Sequence, residues 1–257
     1  MKNLLLKENE RIDDLEFKNL KIIQKNDGFC FGIDSVLLSD FSKEIRNNSQ
    51  VLDLGTGTGI LSILLSEKTK LKKIYGIEVQ KDIANMAERS VKLNKLDNKI
   101  EIINDDINNL ENIFNENSFD AIVTNPPYKN ENTGKKNDNE YKYISRHETT
   151  ANLEKFIKIG YKMLKDKGFL FMVHRPERLA DIIYYLRTNK IEPKKIRFVY
   201  SNKDKPPKLV LIKAVKNANR FLTVEKPLII YDETGNYTSE ILKIYNKEGI
   251  KWVENYI

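Results

Sequence analysis

The chain has 257 residues, 40% of them hydrophobic and 32% charged, with a formal net charge of +7. That length accommodates one large domain, or one domain with an appendage, and the hydrophobic fraction excludes wholesale disorder. No apolar run approaches the roughly 18 residues that span a bilayer. The opening Met1-Lys2-Asn3-Leu4-Leu5-Leu6-Lys7 lacks a signal-peptide core, and one cysteine, Cys30, with two histidines, His147 and His174, argues against a disulfide framework or a metal centre. The expectation is a soluble cytoplasmic protein without a metal.

In chain order, Leu20, Ile22 and Ile23 followed by Phe29 and Phe31 predict two short strands around a turn at Asn26-Asp27-Gly28. Asp34-Ser35 then reads as the cap of a helix carrying Val36, Leu37, Leu38 and Phe41. Strand Val51–Leu54 precedes a glycine-rich turn and a helix from about Ile60. Strand Ile74–Glu78, a helix over Lys81–Leu93 and strands Ile100–Ile103 and Phe119–Thr124 follow, then a helix over Leu153–Leu164 and strand Phe169–Val173. A helix over Arg178–Leu186 leads to two strands near Ile196–Tyr200 and Leu209–Ala214, with no helix between them. This alternation predicts an α/β fold whose sheet is mainly parallel and carries an antiparallel hairpin at one edge. Residues 130–140 read as a flexible loop following a strand end, and the tail from about 221 as a small β appendage. Expected boundaries are 1–45 for an N-terminal hairpin and helix, 46–216 for the α/β unit, and 217–257 for the appendage.

The segment Asp53-Leu54-Gly55-Thr56-Gly57-Thr58-Gly59 links a buried strand to a helix. Glycines there let the backbone approach a ligand, and the helix start offers unpaired N–H donors. A dinucleotide site spaces its glycines G-x-G-x-x-G; here the spacing is G-x-G-x-G, and Asp53 stands two residues before the first glycine. A carboxylate at that place repels a pyrophosphate but suits a ligand carrying an ammonium or a sulfonium. Glu78, at the end of the next strand, can take both hydroxyls of a ribose, with Val79 beside it. Asp105-Asp106-Ile107 closes the third strand at the same edge, where Asp106 (or its neighbour Asp105) can accept from an adenine amino group while Ile107 covers the ring. These motifs resemble those of class I S-adenosylmethionine-dependent methyltransferases over roughly residues 30–215. The resemblance implies a Rossmann-like, mainly parallel seven-stranded sheet, and S-adenosylmethionine held by Asp53, Gly55, Thr56, Gly57, Gly59, Glu78, Val79, Asp106, Ile107 and Asn125.

Strand Phe119–Thr124 runs into Asn125-Pro126-Pro127-Tyr128. Two prolines fix the backbone and remove two N–H donors. The Asn125 side-chain oxygen and the Pro126 carbonyl can then accept both hydrogens of a planar amino group, and Tyr128 can stack on the ring bearing it. An amino group conjugated to an aromatic ring is a poor nucleophile, and paired acceptors favour the pyramidal form that develops during attack. The tetrapeptide resembles the N-P-P-Y motif of amino methyltransferases acting on adenine, guanine or a glutamine amide.

The charge is unevenly distributed. Residues 1–128 hold 17 basic and 21 acidic residues, whereas residues 155–220 hold 18 basic and 5 acidic ones. A local excess of this size suits a nucleic-acid partner, with lysine-rich codon usage as the alternative source. Arg11-Ile12-Asp13-Asp14-Leu15, Asp34-Ser35-Val36-Leu37-Leu38, Gly76–Gln80, Met86–Ser90, Arg146-His147-Glu148, His174–Arg178 and Gly235-Asn236-Tyr237 together resemble the bacterial tRNA(Val) adenine-N6 methyltransferases, nearly end to end. The resemblance implies methylation of the adenine beside the anticodon. It also implies tRNA backbone contacts from the basic stretch, with Arg175, Arg178, Arg187, Lys194, Lys195, Arg197, Lys205 and Lys208 as candidates. The alternatives are a ribosomal RNA or DNA amino methyltransferase, a release-factor glutamine methyltransferase and a non-catalytic RNA-binding protein. The glutamine enzymes carry a helical domain before the glycine loop, and only about 50 residues precede Asp53 here. DNA enzymes usually carry a separate target-recognition region, for which this sequence offers no candidate.

Overall fold

The computed structural model describes residues 5–27, 32–126 and 153–247. Cys30, Phe29, Phe31, Pro127, Tyr128, the segment 130–140 and Arg146-His147-Glu148 lie outside them. The apolar runs read from the sequence form one sheet: β3 (Gln50–Leu54), β4 (Lys73–Ile77), β5 (Ile100–Ile103), β6 (Phe119–Thr124), β7 (Leu164–His174), β8 (Ile191–Tyr200) and β9 (Pro207–Lys216). Their spatial order is β5-β4-β3-β6-β7-β9-β8. Strands β3 to β7 pair in parallel, and β9 lies antiparallel between β7 and β8. β8 therefore runs in the same direction as β3, β4 and β6.

Period-two alternation divides the core. Val51, Val123, Phe171 and Leu211 face one layer, while Leu52, Leu54, Ile122, Met172 and Ile212 face the other. Such strands are buried on both faces, as parallel sheets require. Helices α1 (Ile33–Phe41), α2 (Ile60–Lys68) and α3 (Lys81–Leu93) cover the first face. Helices α4 (Leu110–Ile113), α5 (Leu153–Met163) and α6 (Leu179–Thr188) cover the second.

The described residues add to the expectation or differ from it at three places. The N-terminal hairpin pairs β1 (Glu10–Asp14) with β2 (Lys21–Lys25) through a turn at residues 15–20; the strand expected at Phe29 and Phe31, across the turn at Asn26–Gly28, lies outside the described residues. β1 reads Glu-Arg-Ile-Asp-Asp and shows no apolar alternation; the Arg89 guanidinium, 2.7 Å from Glu10, and the Ser90 hydroxyl, which accepts from Ile23 N–H, dock the hairpin on α3. Helix α1 starts one residue before Asp34, after Gly32, and Asp34 sits in its first turn instead of capping it. The tail contributes two short strands, β10 (Thr223–Val224) and β11 (Leu228–Ile229), both parallel to β8, so the appendage extends the expected seven strands to nine among the described residues. Beyond a single bridge between Tyr231 and Tyr237 the tail continues as helix α7 (Ser239–Ile244), where the sequence suggested more strand. Ile241 and Ile244 bury into the α1 side of the core. Among the described residues no helix is long and apolar enough to cross a membrane, and no group of metal-ligating side chains is found.

Candidate active site

The C-terminal ends of β3, β4, β5 and β6 form one edge, the place where open α/β sheets bind ligands. Gly57 and Gly59 adopt φ of +58° and +88°, which L side chains rarely take. At Gly59 a side chain would also press on Ala87 of α3. The turn is pinned to the next strand because Thr56 N–H donates to the Ile77 carbonyl.

Asp53 lies beneath this turn, 1% exposed. Its Oδ2 accepts from the Thr56 hydroxyl at 2.7 Å and the Ser62 hydroxyl at 2.8 Å, so one carboxylate ties β3 to the loop and to α2. Burial pushes the Asp53 carboxyl up to about 6 and nearby Glu78 adds to the rise, against the two hydroxyl bonds that lower it. Glu78 is also buried; its Oε2 accepts from Gly57 N–H at 3.1 Å and its Oε1 from Gln80 N–H at 2.9 Å. Burial raises this carboxyl too, while those backbone bonds oppose the rise. Oε1 also accepts from Gln80 Nε2 at 3.4 Å, and the second lone pair of Oε2 gives Glu78 acceptor capacity for a hydroxyl group.

The next two strand ends complete the pocket. Asn104, which sequence reasoning missed, donates from Nδ2 to the carbonyls of Glu78 at 2.8 Å and Val79 at 3.1 Å, fixing the β4 end from β5. Asp105 Oδ1 accepts from Asp106 N–H and from Asn109, while Asp106 Oδ1 accepts from Asn108 N–H and caps a single 3-10 turn. The side chain of Ile107 is 6% exposed and packs in the core, whereas Val79 is 41% exposed and is the apolar surface left uncovered beside Glu78.

Asn125 follows β6 directly, and the Thr124 hydroxyl, donating to the Leu54 carbonyl, locks that strand end to β3. The Asn125 amide is oriented from a distant part of the chain. Its Nδ2 donates to Asp34 Oδ2 at 3.1 Å and lies 3.4 Å from the Ser35 hydroxyl. An ionised carboxylate only accepts, so Asp34 selects the NH2 end of the amide and turns the oxygen of Asn125 away from α1. Asp34 is itself buried, with Oδ1 accepting from Ser35 N–H, and it leaves no room for a side chain at Gly32. The sequence offered Asp34 as a helix cap and as part of a family-like run; nothing local signals a partner 91 residues away.

The basic candidates separate into groups. Arg175 and Arg178 follow β7, and Lys205 and Lys208 lie where β8 turns into β9, so all four sit at the edge shared with Asn125. Arg187, Lys194 and Lys195 lie near the start of β8, at the opposite end of the sheet. Arg197, between them, pairs with Glu240 of α7 at 2.7 Å.

A parallel sheet closed by an antiparallel strand, a positive-φ glycine turn over buried acids and an amide held at the fourth strand end define the class I methyltransferase architecture. Residues 15–183 match the model of the methyltransferase small domain, and the chain belongs to that family. It is 28% identical over 239 residues to a Porphyromonas gingivalis protein named tRNA1(Val) (adenine(37)-N6)-methyltransferase, covering 90% of this chain and 93% of that one. A Tolumonas auensis protein of the same name is 25% identical over 89% of this chain and 93% of its own. Among solved structures, protein Atu636 of Agrobacterium tumefaciens, described as a predicted O-methyltransferase, superposes with a TM-score of 0.68 at 20% identity, covering 83% of this chain and 96% of that one. M. jannaschii TYW2, solved in complex with AdoMet, gives a TM-score of 0.56 at 19% identity over 82% of this chain and 87% of that one.

Proposed function

We propose that this chain methylates the N6 amine of an adenine in tRNA, with S-adenosylmethionine as donor, and that the adenine is the one adjacent to the anticodon of tRNA(Val). The observation that carries the reading is the Asn125 amide, held through its NH2 end by Asp34 at the edge that also carries Asp53 and Glu78. The tRNA assignment rests on the names of the relatives, which span nearly the whole chain. Such a substrate places the enzyme in the cytoplasm.

The donor set suits the cofactor: Glu78 offers an acceptor for a ribose hydroxyl, Val79 an apolar surface for a purine, and buried Asp53 a negative charge for a cationic ligand. Bound S-adenosylmethionine supplies the electrophilic methyl group. The chain's part is to present the nucleophile. Asn125 Oδ1 and the Pro126 carbonyl accept the two hydrogens of the adenine amino group and favour its pyramidal form, so the lone pair leaves the ring and points at the methyl. The methylated amine then loses a proton to water, and no side-chain base is required.

Two outcomes are expected. With tritiated S-adenosylmethionine, the purified chain labels N6 of adenine in unmodified tRNA; labelling of a release-factor peptide or ribosomal RNA in place of tRNA contradicts the substrate. Asp34→Ala releases the Asn125 amide and is expected to lower kcat about tenfold, the worth of one hydrogen bond, with cofactor affinity within about twofold of wild type. Asp34→Asn, which keeps an accepting oxygen, restores part of the rate. A kcat unchanged by Asp34→Ala contradicts the positioning role.

A further inference from the structure

Resting on the tRNA reading, we propose that two loops at the catalytic edge, Arg175–Arg178 after β7 and Asn202–Lys208 between β8 and β9, hold the RNA backbone, and that the basic residues at the far end of the sheet serve folding. The two loops carry five basic and two acidic residues. Their place follows from strand direction. β7 and β8 run parallel to β6 and so end beside Asn125, and antiparallel β9 begins there. Neighbouring strands are about 4.8 Å apart, so β8, three steps from β6, ends about 14 Å from it. That keeps both loops beside the backbone flanking a base seated at Asn125. The loops also meet each other, with Arg175 Nη1 3.5 Å from the Lys208 carbonyl.

Within these loops Lys203 pairs with Glu233 and Arg178 with Asp181, and two lysines are left to be offered. Lys205 and Lys208 are exposed, and their ammonium groups meet no acid among the described residues. Pro206 and Pro207 stand between them, and fixed φ angles reduce the ordering that binding has to impose. At the far end the cations already have work. Arg187 pairs with Glu192 at 3.2 Å, Lys195 lies 3.3 Å from Glu44 and 3.2 Å from Glu225, and the Lys194 ammonium donates to the carbonyls of Asn219 and Arg220. Lys194 lies six residue steps before Tyr200 in β8, about 20 Å along the strand.

The test is tRNA binding against salt concentration for the wild-type chain, for Lys205→Ala/Lys208→Ala and for Arg187→Ala/Lys194→Ala, with S-adenosylmethionine affinity as the check on folding. The edge variant is expected to weaken tRNA binding about tenfold at low salt and to flatten the log–log salt slope by about 1.4–1.8, or 0.7–0.9 for each phosphate no longer neutralised. The far-end variant is expected within about twofold of wild type. Wild-type binding by the edge variant, or equal weakening by the far-end variant, overturns the inference and leaves the methylation reading standing. Failure of the wild-type chain itself to bind tRNA contradicts both.

Discussion

Asn125→Ala is expected to lower kcat by about two to three orders of magnitude, the usual cost of removing one preorganised group that acts on the transition state. Cofactor affinity should fall far less than kcat, because Asp53 and Glu78, which carry most of the expected cofactor contacts, lie on other strands. Asn125→Asp sharpens the expectation. It keeps an accepting oxygen at the position yet removes the NH2 that Asp34 holds at 3.1 Å, and sets one carboxylate against another. Like charges at that distance force rotation or protonation, so Asn125→Asp should be nearly as impaired as Asn125→Ala. Steady-state kinetics on tRNA with isothermal titration of the cofactor separates the two effects. A modest loss in Asn125→Ala would mean that the amino group is activated elsewhere.

The second large effect falls on binding. Asp53→Ala removes a buried charge and leaves the Thr56 and Ser62 hydroxyls without their shared acceptor, so cofactor affinity is expected to drop about 100-fold, or roughly 3 kcal/mol. The wild-type carboxyl, pushed up to about 6, adds a pH signature. A cationic ligand favours the ionised form, so affinity should rise with pH through about 6 and level off above it, and Asp53→Asn should flatten that profile. In the ligand-free chain the sign is reversed. The native state holds this proton more tightly than the unfolded state, whose carboxyl has the ordinary value of 3.8. The Asp53 contribution to stability is therefore full below about pH 4 and is lost as pH rises towards 6, a difference of about 3 kcal/mol. Thermal unfolding of wild type and Asp53→Asn at about pH 4.5 and 7 isolates it; parallel pH profiles for the two contradict the raised, buried carboxyl.

The parallel sheet was legible because its strands are short apolar runs separated by helical spacing, and β6 and α3 occupy the ranges their patterns predict. Gly57, Glu78 and Asn125 were legible as motifs with fixed offsets from strand ends. What escaped depends on contacts between distant parts of the chain. β1 is a strand only because β2 pairs with it and α3 receives it. Asp34 and Asn104 act through partners that no local pattern names. Lys216 counted towards the basic excess, yet it is 5% exposed and its ammonium bonds the Asn117 side chain and the Tyr161 and Leu164 carbonyls. A sum of charges cannot tell such a structural cation from Lys205 or Lys208; strand direction and burial can.

The most direct test of the central claim is nucleoside mass spectrometry on tRNA(Val) from cells with and without the gene, the anticodon-loop fragment being sequenced to place the modification. The account predicts N6-methyladenosine beside the anticodon in the parent, its loss in the deletion strain, and its return with the wild-type gene but not with Asn125→Ala. Undiminished N6-methyladenosine at that position in the deletion strain would contradict it.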